Sequence, residues 1–268
     1  MRCLEKLVII PTYNEKENIE SIIGKVFSLQ QDYHILIIDD GSPDGTAAIV
    51  RSLMNKYPGQ LFLEERKGKL GLGTAYIHGF KWAISKEYQF IFEMDADFSH
   101  NPEDLQHLYE ACKNGAAVAV GSRYVKGGAL ENWPTNRIVL SKGASWYTRL
   151  ITWMPVKDPT AGFVCYQHQV LETINLDAIS FTGYAFQIEM KFAAWKLGFS
   201  IKEVPITFID RKYGVSKMNK GIVKEGILGV LKLRWLSIFK NYRKKLTKPY
   251  DNSSAPFPQQ HGVVLEGK

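Results

Sequence analysis

The sequence predicts an α/β fold, a mostly parallel sheet flanked by helices, from three observations. Short apolar runs alternate with stretches whose apolar residues fall at helical spacing. Each run ends in an acidic or glycine-rich turn, as loops at the carboxyl ends of parallel strands do when they line a ligand crevice. The alternation is sustained from Lys6 to Phe92, which marks a strand–helix–strand series and not separate all-α and all-β segments.

The first run, Lys6 to Ile10, reads as a buried strand that breaks at Pro11-Thr12-Tyr13-Asn14-Glu15, and Ile19, Ile22, Ile23, Val26 and Phe27 then mark one face of a helix. Tyr33 to Ile38 is a second strand, closing in Asp39-Asp40-Gly41-Ser42-Pro43-Asp44-Gly45-Thr46, with Ile49, Val50, Leu53 and Tyr57 on the helix that follows. Leu61-Phe62-Leu63 is a third strand, and a glycine-rich loop leads into a helix around Ala75 to Ile84. Gln89-Phe90-Ile91-Phe92 is the fourth, delivering Asp95 and Asp97 to its carboxyl end. Asn101-Pro102-Glu103-Asp104 has the form of a helix start, with a capping side chain, proline at the first helical position and acids in the first turn. Ala116 to Val120 reads as a further strand and Ile138 to Leu150 as a further helix.

Length and composition allow one large domain with an appendage: 268 residues, 45% hydrophobic and 23% charged. The amino-terminal apolar run is cut short by Pro11, unlike a signal peptide, and no uncharged run approaches the ~20 residues of a membrane span. Three scattered cysteines, Cys3, Cys112 and Cys165, fit neither a disulfide framework nor a zinc site, so the expectation is a reduced, cytoplasmic protein. The net charge of +7 is concentrated toward Lys212 to Lys248. No finger, recognition helix or RNA-binding signature accompanies it, so the acidic partner is phosphate on a small molecule or a lipid surface and not nucleic acid.

Asp95 and Asp97, two residues apart, repel each other unless a cation sits between them, and hard oxygen ligands suit Mg2+ or Mn2+ on a diphosphate. The competing reading is that they cap the following helix. Tyr13 offers a ring to stack on a base, Glu15 an acceptor for base or ribose, and Asp40 a carboxylate for a base edge or ribose hydroxyls; turn chemistry alone accounts for Gly41 and Gly45. Lys69-Leu70-Gly71-Leu72-Gly73-Thr74-Ala75 lacks the lysine of a phosphate loop and the third glycine of a dinucleotide fingerprint, so its glycines are read as allowing the next helix to pack close to the sheet. His100, beside a proline-started helix, reads as structural.

Taken in order, Pro11-Thr12-Tyr13-Asn14-Glu15, Asp39 to Thr46, Gly71-Leu72-Gly73-Thr74-Ala75-Tyr76, Asp95-Ala96-Asp97-Phe98-Ser99-His100-Asn101-Pro102 and Gly121-Ser122-Arg123-Tyr124 closely resemble the glycosyltransferase family 2 enzymes of the dolichyl-phosphate (polyprenyl-phosphate) mannosyltransferase type. The resemblance runs from about Lys6 to Lys217. It implies a GT-A fold, GDP-mannose as donor, Mg2+ or Mn2+ as cofactor and a polyprenyl monophosphate as acceptor. By the family's pattern Pro11, Tyr13, Glu15 and Asp40 hold the nucleotide, Asp95, Ala96, Asp97 and Arg123 meet the donor, and Asp95 and Asp97 contact the metal. Arg211 and Lys217, flanking a glycine turn, resemble the loop that neutralises the leaving diphosphate, so Asp97, Arg211 and Lys217 form the expected catalytic set. Arg137 and Ser141, one turn apart, are placed by the resemblance at the acceptor phosphate; Arg137 as a plain surface residue fits the sequence equally well. Ser99 stands where some relatives carry a glutamine metal ligand, which leaves the ligand set open.

Asp158-Pro159-Thr160-Ala161-Gly162-Phe163 and Phe186-Gln187-Ile188-Glu189 resemble acceptor-side motifs, with Asp158 orienting a loop and Gln187 and Glu189 supporting it. Residues 1–220 are expected to form the catalytic domain, 221–248 a basic amphipathic helix at a membrane surface, and 249–268 a flexible tail. The chain is then a peripheral enzyme on the cytoplasmic face of a membrane. Two alternatives keep the fold: a transferase using UDP-glucose or UDP-N-acetylglucosamine, and a non-catalytic protein that binds nucleotide sugar or lipid phosphate.

Overall fold

A computed structural model describes residues 5–183, 185–210 and 220–244. Arg211, Lys217 and the tail at 249–268 lie outside the described residues. The first four strands are β1 (Lys6–Thr12), β2 (Tyr33–Asp39), β3 (Leu61–Glu65) and β4 (Phe90–Glu93); between them run α1 (Ile19–Phe27), α2 (Thr46–Met54) and α3 (Leu72–Ser85). After a single 3-10 turn come α4 (Leu105–Lys113), β5 (Val118–Ser122), β6 (Ala129–Glu131), α5 (Thr135–Thr152), β7 (Val164–Gln167), α6 (His168–Thr173), α7 (Ala185–Lys196), β8 (Ile201–Pro205), β9 (Thr207–Ile209) and α8 (Lys220–Leu236).

Seven strands form one sheet in the order β3-β2-β1-β4-β7-β5-β8, and β6 pairs with β9 in a small separate ladder. Every pairing in the large sheet is parallel except those of β7, which runs against both β4 and β5. The strand order reverses around β1 and β4, where open α/β sheets open a crevice beyond the carboxyl ends.

β1 is apolar from Leu7 to Ile10 because both of its faces are covered. Leu7 and Ile9 pack into the core on one face, with α3 and α7, while Val8 and Ile10 pack into the core on the other, with α1, α2 and α4. A strand covered on both sides reads as a continuous apolar run with no alternation. Close packing on α3 is set by Gly79, where a Cβ would lie 2.8 Å from Ile9 Cγ2.

The elements match the expected ones in kind and order, with shifted ends. The third helix begins at Leu72, not Ala75, and the fifth strand covers Val118–Ser122 where Ala116 to Val120 was expected. Asn101 caps as anticipated, its Oδ1 accepting from Glu103 N at 3.2 Å with Pro102 following. One reading needs correction: Gly73 does not bring α3 onto the sheet. A Cβ there would lie 2.7 Å from Phe181 O and 2.8 Å from the Phe186 ring, so Gly73 lets α3 meet the start of α7, and Gly79 meets the sheet.

α8 packs against α5 and α7. Glu189, fully buried, accepts from Ser180 N at 2.7 Å, Phe181 N at 3.0 Å and Lys240 Nζ at 2.6 Å, which ties the segment after α8 to the interior. Among the described residues no helix is long and apolar enough to cross a membrane.

Candidate active site

The loops after β1, β2 and β4 meet at one edge because those strands are neighbours and parallel. Asp39 holds two of these loops together. Its carboxylate accepts from Thr12 Oγ1 at 2.8 Å, Ser42 N at 2.8 Å and Ser42 Oγ at 2.6 Å, and Ser42 Oγ in turn accepts from Asn14 N at 3.0 Å. Asp44 performs the same work one turn on: it accepts from Lys16 N and Thr46 N, both at 3.0 Å, and from Thr46 Oγ1 at 2.6 Å. Burial alone would push the Asp44 carboxyl up, but those hydrogen bonds outweigh it and hold it below the ordinary aspartate range.

On that frame Pro11, Tyr13, Glu15 and Asp40 come to the same edge. Glu15 is buried and accepts from Asn18 Nδ2 at 3.1 Å. Tyr13 is half-buried, with the Lys69 ammonium 5.0 Å from its ring centre. Asp40 is in a buried ion pair with Arg66: Nε lies 2.6 Å and Nη2 2.5 Å from Oδ1, and Leu70 N donates to Oδ2 at 3.2 Å. Arg66 also donates to Thr74 Oγ1 at 2.9 Å and Gly71 O at 3.4 Å, so one guanidinium joins the β2 turn to the glycine-rich loop. Gly41, at φ +68°, is what lets the loops approach: a Cβ would sit 3.2 Å from both Arg66 O and Gly68 N. Sequence reasoning passed over Arg66, which lies in the charged run Glu64-Glu65-Arg66-Lys67 and looks there like a solvated surface cation.

The second half of the site follows β4. Asp95 is 40% exposed and Asp97 is buried, with Oδ1 accepting Ser99 N at 3.1 Å. Ala96 is buried between them. Phe98 takes φ +60°, a conformation bulky residues avoid, and this turns the chain between Asp97 and Ser99. Ser99 is buried, with its carbonyl accepting Ile209 N at 3.2 Å. His100 is buried, stacked on Phe163 at 4.9 Å, and its Nδ1 accepts Asp95 N at 3.3 Å. Burial lowers its pKa to about 4, against the opposing pull of Asp97, so the ring is neutral at neutral pH and serves as an acceptor.

Arg123, just past β5, is clamped by Asp158 from the segment before β7. Nε donates to Oδ2 at 2.7 Å, Nη2 to Oδ1 at 2.6 Å, and the backbone N to Oδ2 at 3.0 Å; Nη2 also reaches Thr160 Oγ1 at 2.9 Å. The aromatic rings of Tyr124, Trp133 and Phe208 surround the guanidinium at 5.2–5.7 Å. Arg137 lies 3.7 Å over the Trp133 ring and pairs with Asp210 at 2.9 Å, while Tyr124 OH and Ser141 Oγ are hydrogen-bonded at 2.6 Å. Thus Arg123, Arg137 and Ser141 gather around Trp133 and Tyr124.

A mostly parallel sheet whose loops after β1, β2 and β4 meet at one edge, with paired acids after β4, is the GT-A arrangement of glycosyltransferases. The chain belongs to glycosyl transferase family 2, whose sequence model matches residues 7–174. It is 47% identical over 224 residues, 84% of each chain, to the polyprenol monophosphomannose synthase of Mycolicibacterium smegmatis. It is 43% identical over 229 residues to the undecaprenyl-phosphate mannosyltransferase of Micrococcus luteus, covering 85% of this chain and 93% of that one. Two solved structures share the fold at 17% identity. One is the glucosyl-3-phosphoglycerate synthase of Mycobacterium tuberculosis with Mn2+ and UDP (TM-score 0.63, covering 86% of this chain and 79% of that one). The other is a mannosyltransferase of Pyrobaculum calidifontis with GDP-Man and Mn2+ (TM-score 0.54, 91% and 66%).

Proposed function

We propose that this chain transfers mannose from GDP-mannose to a polyprenyl monophosphate, forming polyprenyl-phosphate-mannose with inversion at the anomeric carbon. The observation that carries the reading is identity of 47% and 43%, sustained over 84% and 85% of the chain, with two enzymes named for mannose transfer to polyprenyl phosphates.

Tyr13, Glu15 and Asp40 with Pro11 take the nucleoside, while Asp95, Ala96, Asp97 and Arg123 face the diphosphate and sugar. Asp95 and Asp97 fit a divalent ion, Mg2+ or Mn2+, because such ions are held by one or two carboxylates with substrate phosphate oxygens completing the shell. When bound, the ion supplies charge neutralisation on the departing diphosphate. Arg211 and Lys217, from the sequence reading, add positive charge there.

The acceptor explains why no base is needed. A phosphate monoester has its second pKa near ~6, so at neutral pH it is mostly a dianion and already a nucleophile. Arg137 and Ser141 hold it, the phosphate replacing Asp210 as partner of the Arg137 guanidinium. Attack is in line, opposite the leaving GDP, and the product is β-linked.

A lipid acceptor requires a chain that works at a membrane surface. Val139, Leu140, Trp146, Leu150 and Trp153 on or after α5 are exposed, as are Leu228, Leu231, Trp235, Ile238 and Phe239 on or after α8, and the two helices pack together. Lys142, Arg149 and Lys232 are exposed among them. Apolar side chains with interleaved cations suit an anionic lipid surface on the cytoplasmic side.

Incubation of the purified chain with radiolabelled GDP-mannose, UDP-glucose or UDP-N-acetylglucosamine and short polyprenyl phosphates tests the reading. Mannosyl lipid from GDP-mannose is expected. Transfer from a UDP-sugar alone, an α-linked product by NMR, or preference for a simple alcohol over lipid phosphate would overturn it.

A further inference from the structure

Lys191 sits on α7, fully buried, in a helix whose side chains from Ala185 to Ala194 are all buried. Its ammonium has three donors, and three acceptors meet them: Ala161 O at 2.6 Å, Gln187 O at 2.9 Å and Gln187 Oε1 at 3.2 Å. Two of these belong to its own helix. Ala161 O is therefore its one hydrogen bond to another part of the fold. A buried ammonium is strongly disfavoured unless it is paired, yet among the described residues no carboxylate is in ion-pair contact with Lys191. Glu93 is near enough to matter electrostatically, and it too is fully buried, with neither carboxylate oxygen in a hydrogen bond.

The place of these two groups gives the arrangement a purpose. Glu93 ends β4, the strand that delivers Asp95 and Asp97. Ala161 lies in the segment whose Asp158 and Thr160 grip Arg123, and the next residue, Gly162, lies where a Cβ would come 4.0 Å from the His100 ring and 3.8 Å from Gln187 Nε2. An apolar side chain would fill the Lys191 site at less cost. What it could not do is hold the Ala161 carbonyl.

We infer that Lys191 is a positioning residue: it pins the 158–162 segment through the Ala161 carbonyl and thereby sets Arg123 against the paired-acid loop. The inference rests on the assignment of Arg123 to the donor diphosphate given above. Burial brings Lys191 down to about 8, against the opposing pull of the nearby carboxylates.

The test uses the full chain carrying Lys191→Met together with Glu93→Gln, so that no unbalanced buried charge remains, and beside it Lys191→Gln with Glu93→Gln, whose shorter side chain falls short of Ala161 O. In either folded variant, amide hydrogen exchange across 158–163 should quicken at least about tenfold, with other protected amides unchanged. KM for GDP-mannose should rise by a similar factor, while KM for polyprenyl phosphate stays within about threefold. Unchanged exchange at 158–163, KM values that rise together, or failure of both variants to fold would make Lys191 a stability element and overturn the inference. Wild type assayed alongside separates the two levels: absence of mannosyl transfer there defeats the functional reading, whereas hydrogen exchange reports the positioning role without turnover.

Discussion

Arg66 and Asp40 form a buried ion pair across two loops, each side chain only 9% exposed, with the guanidinium Nε and Nη2 both on Oδ1. The pair fixes the carboxylate proposed for the nucleoside, so that edge is set by contacts within the protein itself. Replacing Arg66 by Met leaves a buried carboxylate without its partner. Removing one member of such a pair generally costs about 3–5 kcal/mol, so urea unfolding of Arg66→Met should show a loss near the lower figure and KM for GDP-mannose should rise. Arg66→Lys should recover only part of either, since an ammonium cannot span Asp40, Thr74 and Gly71 as the planar fork does.

Asp97→Asn separates charge from structure. The Oδ1 that accepts Ser99 N is available in asparagine, so the thermal midpoint should stay within a few degrees of wild type. The mannosyl transfer rate should fall on the order of 10²–10³-fold, the scale on which groups facing developing charge act. Initial rates at saturating Mn2+ check this, and a variant as active as wild type would remove Asp97 from the site.

The first four strands could be read because nothing in them conflicts: each is an apolar run long enough for one strand, ended by residues that turn. Other features left weaker traces. β7 is as apolar as its neighbours, and composition does not encode direction, so its antiparallel course became visible only with its pairing to β4 and β5. Asp158 and Arg123 are 35 positions apart, and neither residue names the other. Lys191 lies in a helix buried all round, where no apolar face stands out for a buried cation to violate. Asp40 was readable as a ligand candidate, whereas the arginine that holds it was hidden among other charges.

Gly73 and Gly24 should respond to alanine in opposite directions. At Gly73 a methyl would press on Phe181 O and the Phe186 ring at 2.7 and 2.8 Å, and overpacking of this kind costs about 1–3 kcal/mol. At Gly24, inside α1, nothing lies within 4 Å, and alanine should stabilise by about 0.5–1 kcal/mol through backbone entropy. Equilibrium urea curves for both variants measure the pair, and equal shifts would contradict the packing described.

His34 gives stability a pH dependence of definite sign. Burial lowers its pKa from the ordinary 6.5, only partly opposed by Asp32, and Nδ1 is hydrogen-bonded with the Tyr88 hydroxyl at 2.6 Å. A group whose folded pKa is depressed binds more protons unfolded, so its contribution is full above pH 6.5 and is lost as pH falls below that value. Thermal midpoints of wild type should decline from pH 7 toward pH 5 more steeply than those of His34→Gln. Parallel slopes would count against the assignment.

The exposed apolar side chains on α5 and α8 should matter to lipid and not to folding. Trp146→Ser with Trp235→Ser is expected to reduce flotation with anionic liposomes several-fold while leaving the thermal midpoint nearly unchanged, because both residues are about two-thirds exposed. Undiminished flotation would move membrane contact elsewhere.

The reversed β7 has a consequence for how the molecule is divided. β5 leaves the sheet at Ser122 and β7 returns at Val164 on the adjoining position, with Gly121 N bonded to Phe163 O at 2.8 Å. Topologically, residues 123–163 are the tip of an oversized hairpin. Its ends are fixed by the sheet, and within it β6 alone is held in register, by β9, so the rest of this excursion can lengthen or shorten without disturbing any register of the seven-stranded sheet, making it an adjustable cassette beside an unchanging frame.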